Sequence, residues 1–180
     1  MSKEMTEPGT RLRDPIAEAR RQWVSHGWGE AAAGMAAVTT ITRVQQILAA
    51  RVEEALAPFG LTFARFEILR LLGFARTGSL PMGKISDRLQ VHPASVTSAV
   101  KRLEREGLIE RVTDDLDNRV VRAVLLPTGR DLLRPATAAV NRVFTTLGLS
   151  DRDLERLVRL LDPIRDAAGD EVDSSGEADD

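Results

Sequence analysis

The stretch MGKISDRLQVHPASVTSAVKRLEREGLIERV, from Met82 to Val112, allows very few folds. Its apolar residues fall into two helical registers with a turn between them. Ile85 and Leu89 predict a short helix from about Pro81 to Leu89. After the turn Gln90-Val91-His92, Pro93 opens a second helix. At 100° per residue, Val96, Ala99, Val100 and Leu103 share one face of it. Gly107 ends that helix. Two β-branched, alternating runs follow, LIERV and RVVRAVLL, on either side of TDDLDN, whose Asp and Asn residues favour a turn.

A helix, a tight turn, a second helix and a hairpin make a winged helix-turn-helix. The rest of the chain reads as long helices. Asp14 is a predicted N-cap, with Pro15 in the first turn and Ile16, Ala19 and Trp23 at helical spacing. Met35, Val38, Ile41, Val44, Leu48, Val52 and Leu56 recur at steps of three and four, so about Ala31 to Ala57 is one long amphipathic helix that Pro58 and Gly60 end. Thr62 caps a further helix that stops near Gly78. After the hairpin, PTGRDLLRPATAAVNRVFTTLG is helical, and Ser150 caps a last helix carrying Leu154, Leu157, Leu160, Leu161 and Ile164. The expected fold is mainly α with a small β-hairpin wing: a winged helix-turn-helix domain plus a helical dimerisation domain. Its parts are a disordered N-terminus over 1–13, N-terminal dimerisation helices over 14–60, the DNA-binding domain over 61–127, C-terminal dimerisation helices over 128–168, and a disordered acidic tail over 169–180.

Composition narrows the function. The chain has no cysteine, which excludes disulfides, thiolate metal sites and a Cys nucleophile. Its two histidines, His26 and His92, are too few and too far apart for a His-based metal site, so neither metal nor cofactor is expected. With no Tyr, no Gly-rich phosphate loop and no His near a plausible Ser nucleophile, an enzyme is not expected either. No apolar run nears the ~20 residues of a membrane span, and the N-terminus lacks the apolar core of a secretion signal, so a cytoplasmic protein is expected. The net charge is −2, but residues 166–180 hold seven acidic side chains and no basic ones, which leaves +5 on the remainder.

The face opposite the apolar stripe of the Pro93 helix suits a DNA groove. Ala94, Ser95, Thr97 and Ser98 are short, so the backbone can come close to base edges, and the hydroxyls can donate or accept there. Lys101, Arg102 and Arg105 stand where the helix leaves the groove, in reach of phosphates. His92 at the turn either reaches a base or phosphate or caps the helix. At the hairpin tip Arg119 suits a narrow minor groove, and Asp117, two residues earlier, can orient it through a charge-assisted bond. Residues 81–130 carry nine basic and seven acidic side chains, so one copy would bind weakly and two copies would read two half-sites.

The segment KISDRLQVHPASVTSAVKRLEREGLIERVTDDLDNRVVRAVLLPTGRDLL resembles the MarR family of winged-helix transcription regulators. The marks are Leu103-Glu104 ahead of Gly107-Leu108, the Asp117-x-Arg119 wing tip, and LLPTGRDLL, which is similar to the family's hinge into the next helix except that Pro127 intervenes before Thr128. The resemblance covers about Ala31 to Ala168. It implies a homodimer on double-stranded DNA with a palindromic operator, usually a repressor, released by a small-molecule effector. The extension DPIAEARRQW is similar to the extra helix of the urate-responsive subgroup, with Trp23 at its tryptophan position. The chain departs from that subgroup at Glu67, where an Asp is usual, and at Ala99, where an Arg is usual. The effector expected is therefore a small aromatic or acidic molecule, with an acidic metabolite or an aromatic natural product as plausible as urate. Trp23, His26, Arg43, Arg65 and Glu67 are its pocket candidates: Trp stacks on flat rings, and Arg and His pair with carboxylates. The competing reading is a winged-helix module for protein–protein contacts with no specific operator.

Overall fold

The computed structural model describes residues 14–114 and 117–172. The expected disorder of residues 1–13 and of the tail from 173 onward lies outside the described residues. Helix α1 spans Pro15–Ser25, and the Asp14 carboxylate accepts from the Ile16 amide at 3.0 Å as its N-cap. A 3-10 turn at Gly29–Ala31 leads into α2, Ala32–Leu56. Pro58 sits in a second 3-10 turn, Ala57–Phe59, and Gly60 closes it with a left-handed φ of 65°. Helix α3 spans Phe63–Phe74, where the Thr62 hydroxyl accepts from the Arg65 amide.

A short strand, β1 (Ser79–Pro81), precedes α4 (Met82–Leu89) and α5 (Pro93–Arg105). Strands β2 (Ile109–Thr113) and β3 (Val121–Leu125) form the expected hairpin. The hairpin is not alone: β1 joins it antiparallel, giving a three-stranded sheet in the order β1-β3-β2, with Leu80 opposite Ala123. Because Ala75 is already extended to feed β1, α3 ends earlier than its pattern suggested. Helices α6 (Pro127–Phe144) and α7 (Asp151–Ala167) are the last elements among the described residues, and Ser150 caps α7 by accepting from the Asp153 amide at 3.3 Å.

One core ties the winged unit together. Leu56 at the foot of α2, Leu69 and Leu72 of α3, Ile85 of α4, Val100 and Leu103 of α5 and Val140 of α6 are fully buried in it. Each such side chain contributes about 1.5–3 kcal/mol on leaving water. The upper half of α2 and all of α7 behave differently. Val38, Ile41, Val44 and Ile47 are exposed on α2, and no residue of α7 is buried. Leu160 and Ile164 are 64% and 62% exposed. The start of the acidic segment is held: Asp170 accepts from Arg165 Nε at 3.1 Å and from Gln90 Nε2 at 3.3 Å.

Candidate nucleic-acid interface

The turn between α4 and α5 is tight and internally bonded. The half-turn at Gln90 adopts φ 53°, which an unbranched side chain tolerates at some strain. Buried Ser86 donates its hydroxyl to the Val91 carbonyl at 2.7 Å, and so fixes the approach of the second helix. His92 is the N-cap of α5: its Nδ1 accepts from the Ala94 amide at 3.2 Å. Of the two roles left open for this ring, the cap is the one its geometry fills.

Helix α5 turns Val96, Val100 and Leu103 fully inward. Ala94, Ser95, Ser98, Lys101, Arg102 and Arg105 stand exposed on the outer side. The hydroxyls of Ser95 and Ser98 and the charged ends of Lys101 and Arg105 have no hydrogen-bond or ion-pair partner among the described residues. Thr97 is only half-exposed, and its hydroxyl donates to the Pro93 carbonyl at 2.9 Å. It lies on the flank facing the wing rather than on the outermost ridge. Arg102 donates to Glu106 Oε1 at 2.8 Å.

At the wing tip, Arg119 donates its Nε to Asp117 Oδ1 at 3.1 Å and Nη2 to Oδ2 at 3.2 Å. The Arg119 amide also donates to Oδ1 at 3.0 Å. The Arg119 side-chain and backbone bonds hold the Asp117 carboxyl below the usual carboxylate range. The Arg119 side chain is 91% exposed, so the fork is oriented without being covered. The wing base is braced by Arg122, which donates to the Ser79 hydroxyl at 3.0 Å and to Asp114 at 3.1 Å. Residues 115 and 116 of the tip lie outside the described residues.

A groove of about 640 Å³ runs between the start of α4, the flank of α5 and the wing; Lys84, Thr97, Arg111 and Arg119 line it. Lys84 and Arg111 were not singled out from the sequence. In a chain with 25 Lys and Arg residues, a lone base on a short helix or strand carries no signal until the groove is assembled.

The five effector candidates do not converge on one cavity. Trp23 packs edge-on to Trp28 at 5.4 Å between ring centroids, and His26 stacks on the same Trp28 at 6.0 Å. His26 Nδ1 donates to the Gln22 carbonyl at 2.8 Å. Arg43 is exposed on α2 and reaches only Gln46, at 3.4 Å. Arg65 faces α5, whereas Glu67 lines an apolar hollow of about 230 Å³ with Phe63, Phe66, Arg70, Phe74 and Phe144. Two residues along a helix are about 200° apart, so Arg65 and Glu67 had to diverge. Burial in the hollow pushes the Glu67 carboxyl above its ordinary value. Arg70, unnoticed in the sequence, lies over the Phe74 ring at 4.2 Å, donates to Thr137 at 3.2 Å, and leaves its buried Nε without a partner. Among the described residues no group of acidic and histidine side chains could hold a metal ion, and no helix is long and apolar enough to cross a membrane.

A helix with a short-chained start and a basic end, set beside a braced wing with an oriented arginine, defines a winged-helix DNA-binding module. Known proteins share it. The MarR family model matches residues 61–121. The transcriptional repressor Rv2887 of Mycobacterium tuberculosis is 31% identical over 98 residues, 54% of this chain and 69% of that protein. The chain spans 48–69% of the length of the curated relatives it matches. Sco5413 of Streptomyces coelicolor, a MarR family transcriptional regulator, is 40% identical, with 78% of this chain and 98% of that one covered at a TM-score of 0.69. MepR of Staphylococcus aureus, solved as a DNA complex, shows the same fold at 22% identity and a TM-score of 0.68 over 72% of this chain and 96% of that one. The chain belongs to the MarR family, whose members are transcription regulators and not enzymes.

Proposed function

We propose that the protein is a homodimeric repressor that reads a palindromic operator in double-stranded DNA and is released from it by a small aromatic or acidic effector. The observation that carries the DNA reading is the outer face of α5. Its short residues stand free at the N-terminal end, and unpaired Lys101 and Arg105 flank them. Short side chains admit the backbone to a major groove, and the cations neutralise phosphates. Arg119, held by Asp117 and otherwise open, suits the adjacent minor groove. The apolar residues left exposed on α2 and α7 support a second copy as partner. For the effector, the hollow at Glu67 and Arg70 combines aromatic walls with a half-buried arginine whose Nε lacks a partner, and it fits an aromatic acid better than the scattered positions of Trp23, His26, Arg43 and Arg65 do.

Footprinting on the protein's own upstream DNA, followed by titrations at increasing salt, tests this. A protected palindrome and affinity that falls steeply with salt are expected. Arg119→Ala should flatten the log–log salt slope by about 0.9 per bound protomer, and Ser98→Ala should weaken the specific site more than random duplex. One compound in a panel of aromatic and acidic molecules should release the operator. Absent or salt-insensitive DNA binding overturns this reading in favour of a protein–protein module.

A further inference from the structure

Among the described residues of the winged unit, one nearly buried charge bonds both the loop before α3 and the end of α5. The Arg65 side chain is 10% exposed and sits at the start of α3. Its Nη1 donates to Glu106 Oε2 at 2.8 Å and to Oε1 at 3.0 Å. Nη2 donates to the carbonyl of Gly60, the left-handed residue that closes the 3-10 turn after α2, at 2.5 Å, and Nε reaches the Thr62 hydroxyl at 3.4 Å. Glu106 is the residue that closes α5. Its Oε1 also accepts from Arg102 Nε at 2.8 Å, so two guanidinium groups share one carboxylate. They are unequal: the Arg102 side chain is 59% exposed. Both arginines line the same shallow groove as Ser95 and Ser98.

The consequence is electrostatic. For Arg102 to meet a DNA phosphate it must leave Glu106. A bare carboxylate would then face the phosphate and pull Arg102 back. Arg65 prevents that, because it already covers both carboxylate oxygens and, being nearly buried, is poorly screened by solvent. We propose that Arg65 is a positioning residue for DNA binding: it keeps Glu106 neutralised and fixed, so that Arg102 can exchange that carboxylate for a backbone phosphate. The inference rests on the DNA-binding reading above.

The contact is to the phosphate backbone, so a random-sequence duplex of about 30 base pairs is a sufficient probe, long enough for two half-sites one helical turn apart. Fluorescence anisotropy between about 50 and 200 mM salt gives the slope of log affinity against log salt. Arg65→Gln should bind about tenfold more weakly, with a slope flatter by about 0.9 per protomer, because Arg102 stays on Glu106. Glu106→Gln should bind several-fold more tightly with the wild-type slope. The double variant should recover the wild-type slope, and Arg65→Lys should fall between, since it keeps the charge without the fork. An Arg65→Gln chain that is weaker but keeps the wild-type slope, or a double variant no better than Arg65→Gln, shows Arg65 to be a brace of the fold only and overturns the proposal. If Arg65→Gln fails to fold, Glu106→Gln decides: binding no tighter than wild type overturns it. A wild-type chain that binds no duplex at any salt removes the DNA reading itself, and this inference with it.

Discussion

Replacing Gly129 by alanine should unfold the protein at a lower temperature, although alanine is the better helix former. Gly129 is buried in the first turn of α6, where the chain leaves the wing and crosses the end of α5. A Cβ there would stand 2.2 Å from the Leu108 carbonyl oxygen, 2.8 Å from Leu125 Cδ1 and 3.1 Å from the Leu108 carbonyl carbon. The first of these is backbone and cannot rotate away. The helix must back off by about 1 Å to restore van der Waals separation. That movement strains two anchors: the Leu126 amide, which donates to the same Leu108 carbonyl at 3.1 Å, and the Thr128 hydroxyl, which donates to the Gly107 carbonyl. Overpacking costs about 1–3 kcal/mol and a weakened hydrogen bond about 1 kcal/mol. The helix preference of alanine offsets about 1 kcal/mol. The net is about 2 kcal/mol, which for a chain of this size lowers Tm by about 4–8 °C. Thermal unfolding followed by circular dichroism, with both proteins at one protomer concentration, measures it. Gly83→Ala is the control, since a Cβ there meets nothing within 4 Å; its Tm should hold or rise. A Gly129→Ala protein at or above the wild-type Tm refutes the reasoning.

Two further outcomes are expected. The raised Glu67 pKa means that the folded state holds its proton above the pH at which the unfolded chain releases it, so stability contributed here is greatest below the unfolded value and is lost as pH rises through the folded one. Glu67→Gln should remove that decline and raise Tm at neutral pH by about 1–2 °C, the effect being small because the group is half-exposed; a lower Tm at neutral pH refutes it. Leu160→Glu should place a charge in the apolar stripe of α7 and shift the sedimentation mass toward the 19.7 kDa protomer, whereas an unchanged dimer mass would show that α7 is not the contact.

Local signals made much of the fold legible. Asp14, Thr62 and Ser150 cap the helices they were expected to cap, because capping is decided within three residues. The inward face of α5 followed from its period alone. What stayed hidden depends on partners distant in sequence. Strand β1 has three residues and exists because β3, over 40 positions later, offers it an edge. Arg65 read as a ligand-facing cation until folding brought Glu106, 41 residues away, onto it. Arg70 was invisible for the same reason, its partner Thr137 being 67 residues on. Trp23, His26, Arg43, Arg65 and Glu67 suit an effector by residue type, and type does not say which way a helix turns a side chain.

The two faces of α5 divide their labour cleanly. Val96, Val100 and Leu103 belong wholly to the core, while the side chains of Ala94, Ser95 and Ser98 are exposed and bond nothing among the described residues. If this helix reads DNA as proposed, a lineage can rewrite the address it recognises, one short residue at a time, with little penalty in foldedness at each step. On the proposed DNA reading, operator preference could drift or be re-engineered at positions 94, 95 and 98, whereas Gly129, packed against the Leu108 backbone, and Arg65, bonded to Glu106 and Gly60, lack that freedom.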